Sequence, residues 1–420
     1  MEVLYPACAG LDVHKKTVVA SICLTNPHGR ATFRTRTFGT TTPDLLDLQA
    51  WLAGHRVTHV AMEATGSYWK PVYNLLDGPF TTWVVNPAHI KNVPGRKTDV
   101  NDSTWIADLL RHGLLRPSFI PDRPQRELRE LTRQRTQWIA ERSRDVNRIQ
   151  KVLEGANIKL ASVATDVLGV SGRAMIERLI AGETDPVRLA DLAVGRLKAK
   201  RAALIPALDG RMGAHQRFLL QQLLTHVDQL TVLIEALDAE IARRVDAFEA
   251  LIQLLCTIPG ISRRIAEVIL AELGPDLSRF PDADHLAAWA SFAPGQNESA
   301  GKRRHAKTRR GNRALRQALV LAAWAVTHTK NTFLAALYKR WVRRMPAQKA
   351  IVALAHRLLK VVYAVMTSGT PYQELGATYH DERDRAQIVL RAVRRLEKLG
   401  YRVTVQPATP DDPDSLPNTG

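Results

Sequence analysis

A chain of 420 residues with 59 Lys and Arg against 41 Asp and Glu carries a formal charge of +18 at neutral pH. That surplus points to a polyanionic partner, nucleic acid ahead of an anionic membrane surface, and the length points to two or three domains with cores of their own. Neither an apolar run long enough to span a bilayer nor a signal peptide is expected, and Cys8, Cys23 and Cys256 lack metal spacing, so they read as reduced packing residues of a cytoplasmic protein.

In chain order, residues 7–12, 17–24 and 31–38 are three predicted strands, the last two joined through Asn26-Pro27-His28-Gly29. A short helix over 43–52 follows, then a strand over 58–63, a helical stretch over 70–76, a strand over 81–86 and a helix over 103–112. Three meandering strands followed by alternating helix and strand form the element order of an RNase H-like α/β fold. Four acids stand out on this frame. Asp12 in AGLDVHKK and Glu63 in AMEATGSYW each close an apolar run, while Asp99 and Asp102 in KTDVNDS sit three apart where a loop enters a helix. In the expected fold Asp12 ends the first strand, Glu63 ends the strand beside it, and the other two face them from the closing helix. Carboxylates held together repel, and a divalent cation relieves the repulsion. Hard oxygen ligands suit Mg²⁺ or Mn²⁺, and ions so held drive in-line phosphoryl transfer. Each acid taken alone has a simpler alternative, Asp102 as a helix cap and Asp12 as a turn residue.

From 126 to 153 the chain is charged and helical. Leu223, Val227, Leu230, Ile234, Leu237 and Ile241 then recur at 4-3-4-3-4 spacing, the seam of a coiled coil. Self-association through this seam is the expectation; a hairpin with an earlier helix, set off by Asp209-Gly-Arg-Met-Gly213, is the alternative. Leu255-Cys-Thr-Ile-Pro-Gly-Ile-Ser262, followed by Ile265, Ala266 and Ile269, reads as a helix-hairpin-helix in which Gly260 lets a backbone phosphate come close. A plain helical hairpin fits the same residues. A helical stretch over 284–292 leads into the loop APGQNESAG and then to Lys302, Arg303, Arg304, His305, Lys307, Arg309, Arg310, Arg313 and Arg316, with no acid among them. Ser299 beside these cations makes an anion site, either a phosphate-tracking surface or part of a catalytic centre. Apolar helices over 314–326 and 347–366 follow, and the Pro- and Asp-rich tail from Gln406 is expected to be disordered. The expected domains are 1–125, 126–250 and 251–370, with a helical extension and tail over 371–420.

At this point the chain resembles the transposases of the insertion sequence 110 family, the DEDD recombinases that also include the Piv-type DNA invertases. GLDVHK, EATGSYW, KTDVNDS, TIPGIS with the following ILAELG, and NESAGKRR with TRRGNRALRQAL match the family's landmarks in order, over roughly residues 7–370. Ser262 departs from the pattern, standing where the family often has a second glycine. The resemblance implies a RuvC-like N-terminal domain in which Asp12, Glu63, Asp99 and Asp102 hold Mg²⁺, and an all-α C-terminal domain whose nucleophilic serine maps onto Ser299. It also implies recombination of donor and target DNA through a serine–phosphate linkage, in a dimer or tetramer where the metal domain of one subunit meets the serine domain of another. A structured RNA encoded by the element, acting as guide, and a bacterial, nucleoid-associated setting are further implications. The contacts to nucleic acid would fall to Gly260, Lys302, Arg303, Arg304, Lys307, Arg309, Arg310 and Arg313.

Two other functions compete. A metal-dependent nuclease of Holliday-junction type would use the acids and water, with Ser299 dispensable. A basic architectural or RNA-binding protein would need no metal. The intact acidic quartet argues against the second of these, and the serine beside its cationic cluster against the first.

Overall fold

The computed structural model describes residues 2–64, 66–87, 90, 102–293, 298–299, 301–303 and 311–406, with the backbone alone at 298, 299, 302 and 303. Asp99, Arg304, His305, Lys307, Arg309, Arg310 and the tail from 407 lie outside these residues. The chain forms two compact units, Met1–Asp122 and Arg123–Gly420.

The N-terminal unit follows the expected order. Strands β1 (Ala7–Val13), β2 (Thr17–Thr25) and β3 (Ala31–Gly39) are followed by helix α1 (Thr42–Gly54), β4 (His59–Glu63), α2 (Trp69–Leu76), β5 (Thr81–Val85) and α3 (Asp102–Arg111). They build one mixed sheet in the order β3-β2-β1-β4-β5, with β1–β2 and β2–β3 antiparallel and β1–β4 and β4–β5 parallel. Strand alternation sends Ala9, Leu11, Ala20, Ile22, Val60 and Met62 to one face, where they bury Leu45, Leu48 and Leu52 of α1 and Val72 and Leu76 of α2. Cys8, Cys23, Ala61 and Val85 go to the other, against Ile106, Ala107, Leu109 and Leu110 of α3. Cys8 and Cys23 are cross-strand neighbours, and both are buried. Gly10 explains how close α3 can lie. A Cβ there would fall 2.2 Å from the Ser103 carbonyl oxygen and 2.4 Å from the Ala107 nitrogen. Ser21 Oγ fixes the same helix from β2, 2.8 Å from Ser103 Oγ and 2.9 Å from Thr104 Oγ1.

The C-terminal unit is helical. Two long helices, α4 (Arg123–Gly155) and α9 (Ala214–Val245), run antiparallel. Their direction is read from the ion pairs Glu127–Arg244, Asp238–Arg135 and Asp145–His226. Between them in sequence lie α5 (Leu160–Val163), α6 (Val170–Ile180), α7 (Pro186–Ala190) and α8 (Arg201–Leu208), whose core forms around Ile149 and Leu153 of α4 and Leu220 and Leu224 of α9. At the other end of the pair, Leu128, Ile241 and Val245 join a second core with α10 (Glu249–Cys256), α11 (Arg263–Leu273), α12 (Ala283–Trp289), α13 (Arg313–Thr327), α14 (Phe333–Val342) and α15 (Ala347–Ser368). Helices α16 (Tyr379–Arg383) and α17 (Arg385–Lys398) follow, neither with a buried residue.

Two expectations change here. The 4-3 seam of α9 is covered by its own chain: Val227, Leu230, Ile234 and Ile241 are buried, and α4 is the helix alongside. The pattern states that a stripe is buried but not by which partner, so self-association through this seam has no free surface to use. Helix α15 is also long and apolar enough to cross a membrane by length and composition, against the expectation of no such run. Its Ile351, Leu354, Leu358, Leu359 and Val362 sit in the second core, which accounts for its apolarity.

Candidate active site

The acids are positioned by the backbone. In the parallel ladder of β1 and β4, Leu11 is paired with Met62, so Asp12 and Glu63 come next, side by side. Both share the face of Gly10 and Ala61, the face that α3 covers. That helix begins at Asp102. Asp12 and Glu63 are half-buried and Asp102 is exposed. Among the described residues no group of three or more His, Cys, Asp and Glu is gathered closely enough to hold a metal ion; the fourth acid, Asp99, lies outside them. Asp12 Oδ2 has a neighbour the sequence reading passed over, His14 Nε2 at 3.1 Å. Two strand-end carboxylates beside a helix that starts on a third are a hard-oxygen donor set, and its chemistry fits a divalent cation.

The serine is positioned differently. Glu298–Ser299 pairs antiparallel with Lys302–Arg303, Ser299 opposite Lys302. Ser299 therefore flanks a two-residue turn, in which Gly301 takes φ +73, a left-handed conformation that favours glycine. In sequence this stretch reads as a loop, and the pairing of 298–299 with 302–303 is a finding of the structure. The described residues that flank this segment as its stems are Ser291, itself left-handed at φ +61, and Gly311. These stems touch: a Cβ on Gly311 would lie 2.1 Å from Ser291 Oγ. Arg316 Nη1 donates to the Ser291 carbonyl at 3.1 Å, and its guanidinium stands 5.6 Å from the Phe292 ring centre. A groove of about 680 Å³ runs beside the return stem, lined by Arg133, Gln137, Arg144, Asn312 and Arg313 among others. Arg313 is exposed in the first turn of α13.

Gly260 has a packing role. It takes φ +82 in the turn between α10 and α11, and a Cβ there would meet the Ala322 carbonyl oxygen at 2.5 Å and Val326 Cγ2 at 2.7 Å. Its lack of a side chain lets the turn sit on α13.

Comparison with known proteins defines the class. A family profile described as a transposase, of DEDD and IS110 designation, matches residues 9–158, and one described as "Transposase IS116/IS110/IS902 family" matches residues 252–339. The chain is thus a transposase, a DNA-cutting enzyme, and the DEDD designation implies dependence on a divalent metal ion. It belongs to the insertion sequence 110 family, as the motif resemblance implied. A "Probable family 20 transposase" of Pseudomonas aeruginosa is 26% identical over 325 residues, 75% of this chain and 85% of its own length. An uncharacterized 43.6 kDa protein of insertion element IS110 from Streptomyces coelicolor is 26% identical over 309 residues, 67% of this chain and 73% of its own. The pilin gene-inverting protein of Moraxella bovis is 32% identical over 125 residues, 29% of this chain and 38% of its own.

Proposed function

We propose that this protein cuts and rejoins DNA through a covalent phosphoserine linkage at Ser299, with Asp12, Glu63, Asp99 and Asp102 as the metal-holding group of a RuvC-like domain. The observation that carries the reading is the register of β1 and β4, with Asp12 beside Glu63 on the face where α3 starts at Asp102. The strand order β3-β2-β1-β4-β5 supports the RuvC-like assignment. Bound Mg²⁺ or Mn²⁺ would polarise the scissile phosphate and offset the charge that develops on it.

In the cutting step the Ser299 hydroxyl loses its proton and attacks phosphorus. The phosphorus–oxygen bond to the leaving sugar breaks, and that sugar oxygen takes up a proton. The ester energy is kept in the phosphoserine, so a DNA hydroxyl can later attack it, release the serine and reseal the strand without a high-energy cofactor. Ser299 stands directly before the cations in sequence, and they supply the phosphate contacts. Those contacts are assigned to Lys302, Arg303, Arg304, Lys307, Arg309, Arg310 and Arg313. The helical hairpin around Gly260 is a weaker claimant, because that glycine is occupied by α13. A structured RNA of the element as guide, and a homo-oligomer as the acting species, complete the proposal.

The test is to trap the wild-type protein on a competent DNA substrate and map the modified residue by mass spectrometry. A nucleotide on Ser299, and none on Ser262 in the same unit, is the expected result. Free DNA ends with unmodified protein would instead establish the metal-dependent nuclease. Sequencing of nucleic acid that copurifies with the protein, expressed together with its flanking DNA, checks the RNA.

A further inference from the structure

Glu272, in the ILAELG motif at the end of α11, has a side chain wholly removed from solvent. A carboxylate in that position needs cations and donors around it, since an unpaired buried charge is strongly destabilising. Three side chains supply them. Arg133 of α4 makes a two-point contact, Nε to Oε1 at 2.7 Å and Nη2 to Oε2 at 2.8 Å. Arg129, a turn earlier on α4, places Nε 3.5 Å from Oε2. Asn312 donates Nδ2 to Oε2 at 2.7 Å. Burial draws the Arg129 pKa down to about 10, whereas the hydrogen bonds to Glu272 raise that of Arg133.

Asn312 carries the effect onward. Its Oδ1 accepts from the Leu315 backbone N–H at 3.0 Å and so caps α13. One amide thus faces two ways, toward the first turn of α13 and toward a carboxylate held by α4 and α11. Asn312 also sits directly after Gly311, the return stem of the segment that bears Ser299 and most of the cationic cluster. Simple packing does not call for this arrangement, because apolar side chains of similar volume in place of buried ionic groups are often neutral or stabilising. What a two-point ion pair with a shared amide adds is a fixed direction and distance.

We propose that Glu272 is a positioning residue for the recombination reaction: acting through Asn312, it fixes the stem of the Ser299 segment and so the place of the serine hydroxyl relative to the scissile phosphate. The proposal rests on the assignment of Ser299 as nucleophile. It predicts a particular pattern among three variants of the full-length protein. Glu272→Gln removes the charge and leaves one acceptor oxygen where Arg133 and Asn312 aim donors at two, so one of those donors meets the new amide NH2. Asn312→Asp keeps the helix cap and sets a carboxylate against Glu272. The double variant restores one donor and one acceptor with the polarity reversed.

The measurements are the single-turnover rate of serine–DNA adduct formation, the DNA dissociation constant and the melting temperature. Each single variant is expected to lose roughly 10- to 100-fold in adduct rate, the scale of a small misplacement of a reacting group, with DNA affinity unchanged. The double variant is expected to regain most of the rate. Asn312→Ser retains a capping side chain but is too short to hold Glu272, so it should match the singles even if Glu272→Gln folds poorly. Wild-type rates in the singles would overturn the proposal, as would a loss that the double variant does not reverse. Cleavage by the wild type without an adduct on Ser299 would overturn the nucleophile assignment itself, and that outcome is read without any variant.

Discussion

The two regions proposed to react are held by different kinds of bond. Asp12 and Glu63 ride on adjacent strands whose backbone hydrogen bonds set their spacing, and α3 is brought against them by the absence of a side chain at Gly10. Ser299 rides on a hairpin of two residues per strand, and the stems proposed to set its place are held by side chains: Arg316 on Ser291, and Glu272 on Asn312. A ladder tolerates many changes in neighbouring side chains, whereas a clamp of a few polar groups fails when one is lost. The half proposed to hold metal should therefore be robust in geometry and sensitive only at its proposed ligands, and the serine half sensitive at residues remote from the chemistry.

The largest effect should come from the proposed metal ligands. Asp12→Ala or Asp102→Asn is expected to lower strand cleavage by about 1,000-fold or more, since such groups act as a unit, with binding and melting temperature preserved. Chelation should do the same to the wild type, with recovery on adding Mg²⁺ or Mn²⁺. Wild-type cleavage by either variant would remove the metal half of the comparison. Next is the support of the clamp. Arg133 is on α4, which α9 holds through the buried seam, so Leu230→Lys should destabilise the C-terminal unit by about 3 kcal/mol or more by burying an unpaired charge. A variant that melts normally but no longer self-associates would show that the seam serves a second copy after all.

Gly10→Val probes the other half. Overpacking of β1 against α3 should cost about 1–3 kcal/mol, read as a lower melting temperature of the N-terminal unit. Unchanged stability would mean that α3 is not seated on the sheet as closely as described. The smallest effect is expected in the cationic cluster: Arg309→Ala with Arg310→Ala should weaken DNA binding and flatten its salt dependence by up to about one unit per lost phosphate contact. An unchanged slope would mark that pair as a solvated face.

The N-terminal unit was largely legible in its sequence because its signals are local. Two-residue alternation marks each strand, and an acid closing an apolar run marks a strand end, so the observed strands fall within a residue or two of the expected ones. The C-terminal unit was legible in its helices but not in what they touch. The seam of α9 was visible, yet only the tertiary structure shows α4 covering it. Glu272 reads in sequence as an ordinary polar helix position. Its partners Arg133 and Asn312 lie 139 and 40 residues away, beyond the reach of any periodicity. Ser291, outside the basic loop in sequence, proves to be one of the loop's stems.

One gel tests the central claim, that both regions are needed for a single covalent step. Wild type, Asp12→Ala and Ser299→Ala would each be incubated with end-labelled DNA and Mg²⁺ and resolved under denaturing conditions. The account predicts a protein–DNA adduct from the wild type alone, with all three proteins binding the DNA equally well. Cleavage by Ser299→Ala to free ends, or an adduct formed by Asp12→Ala, would contradict it.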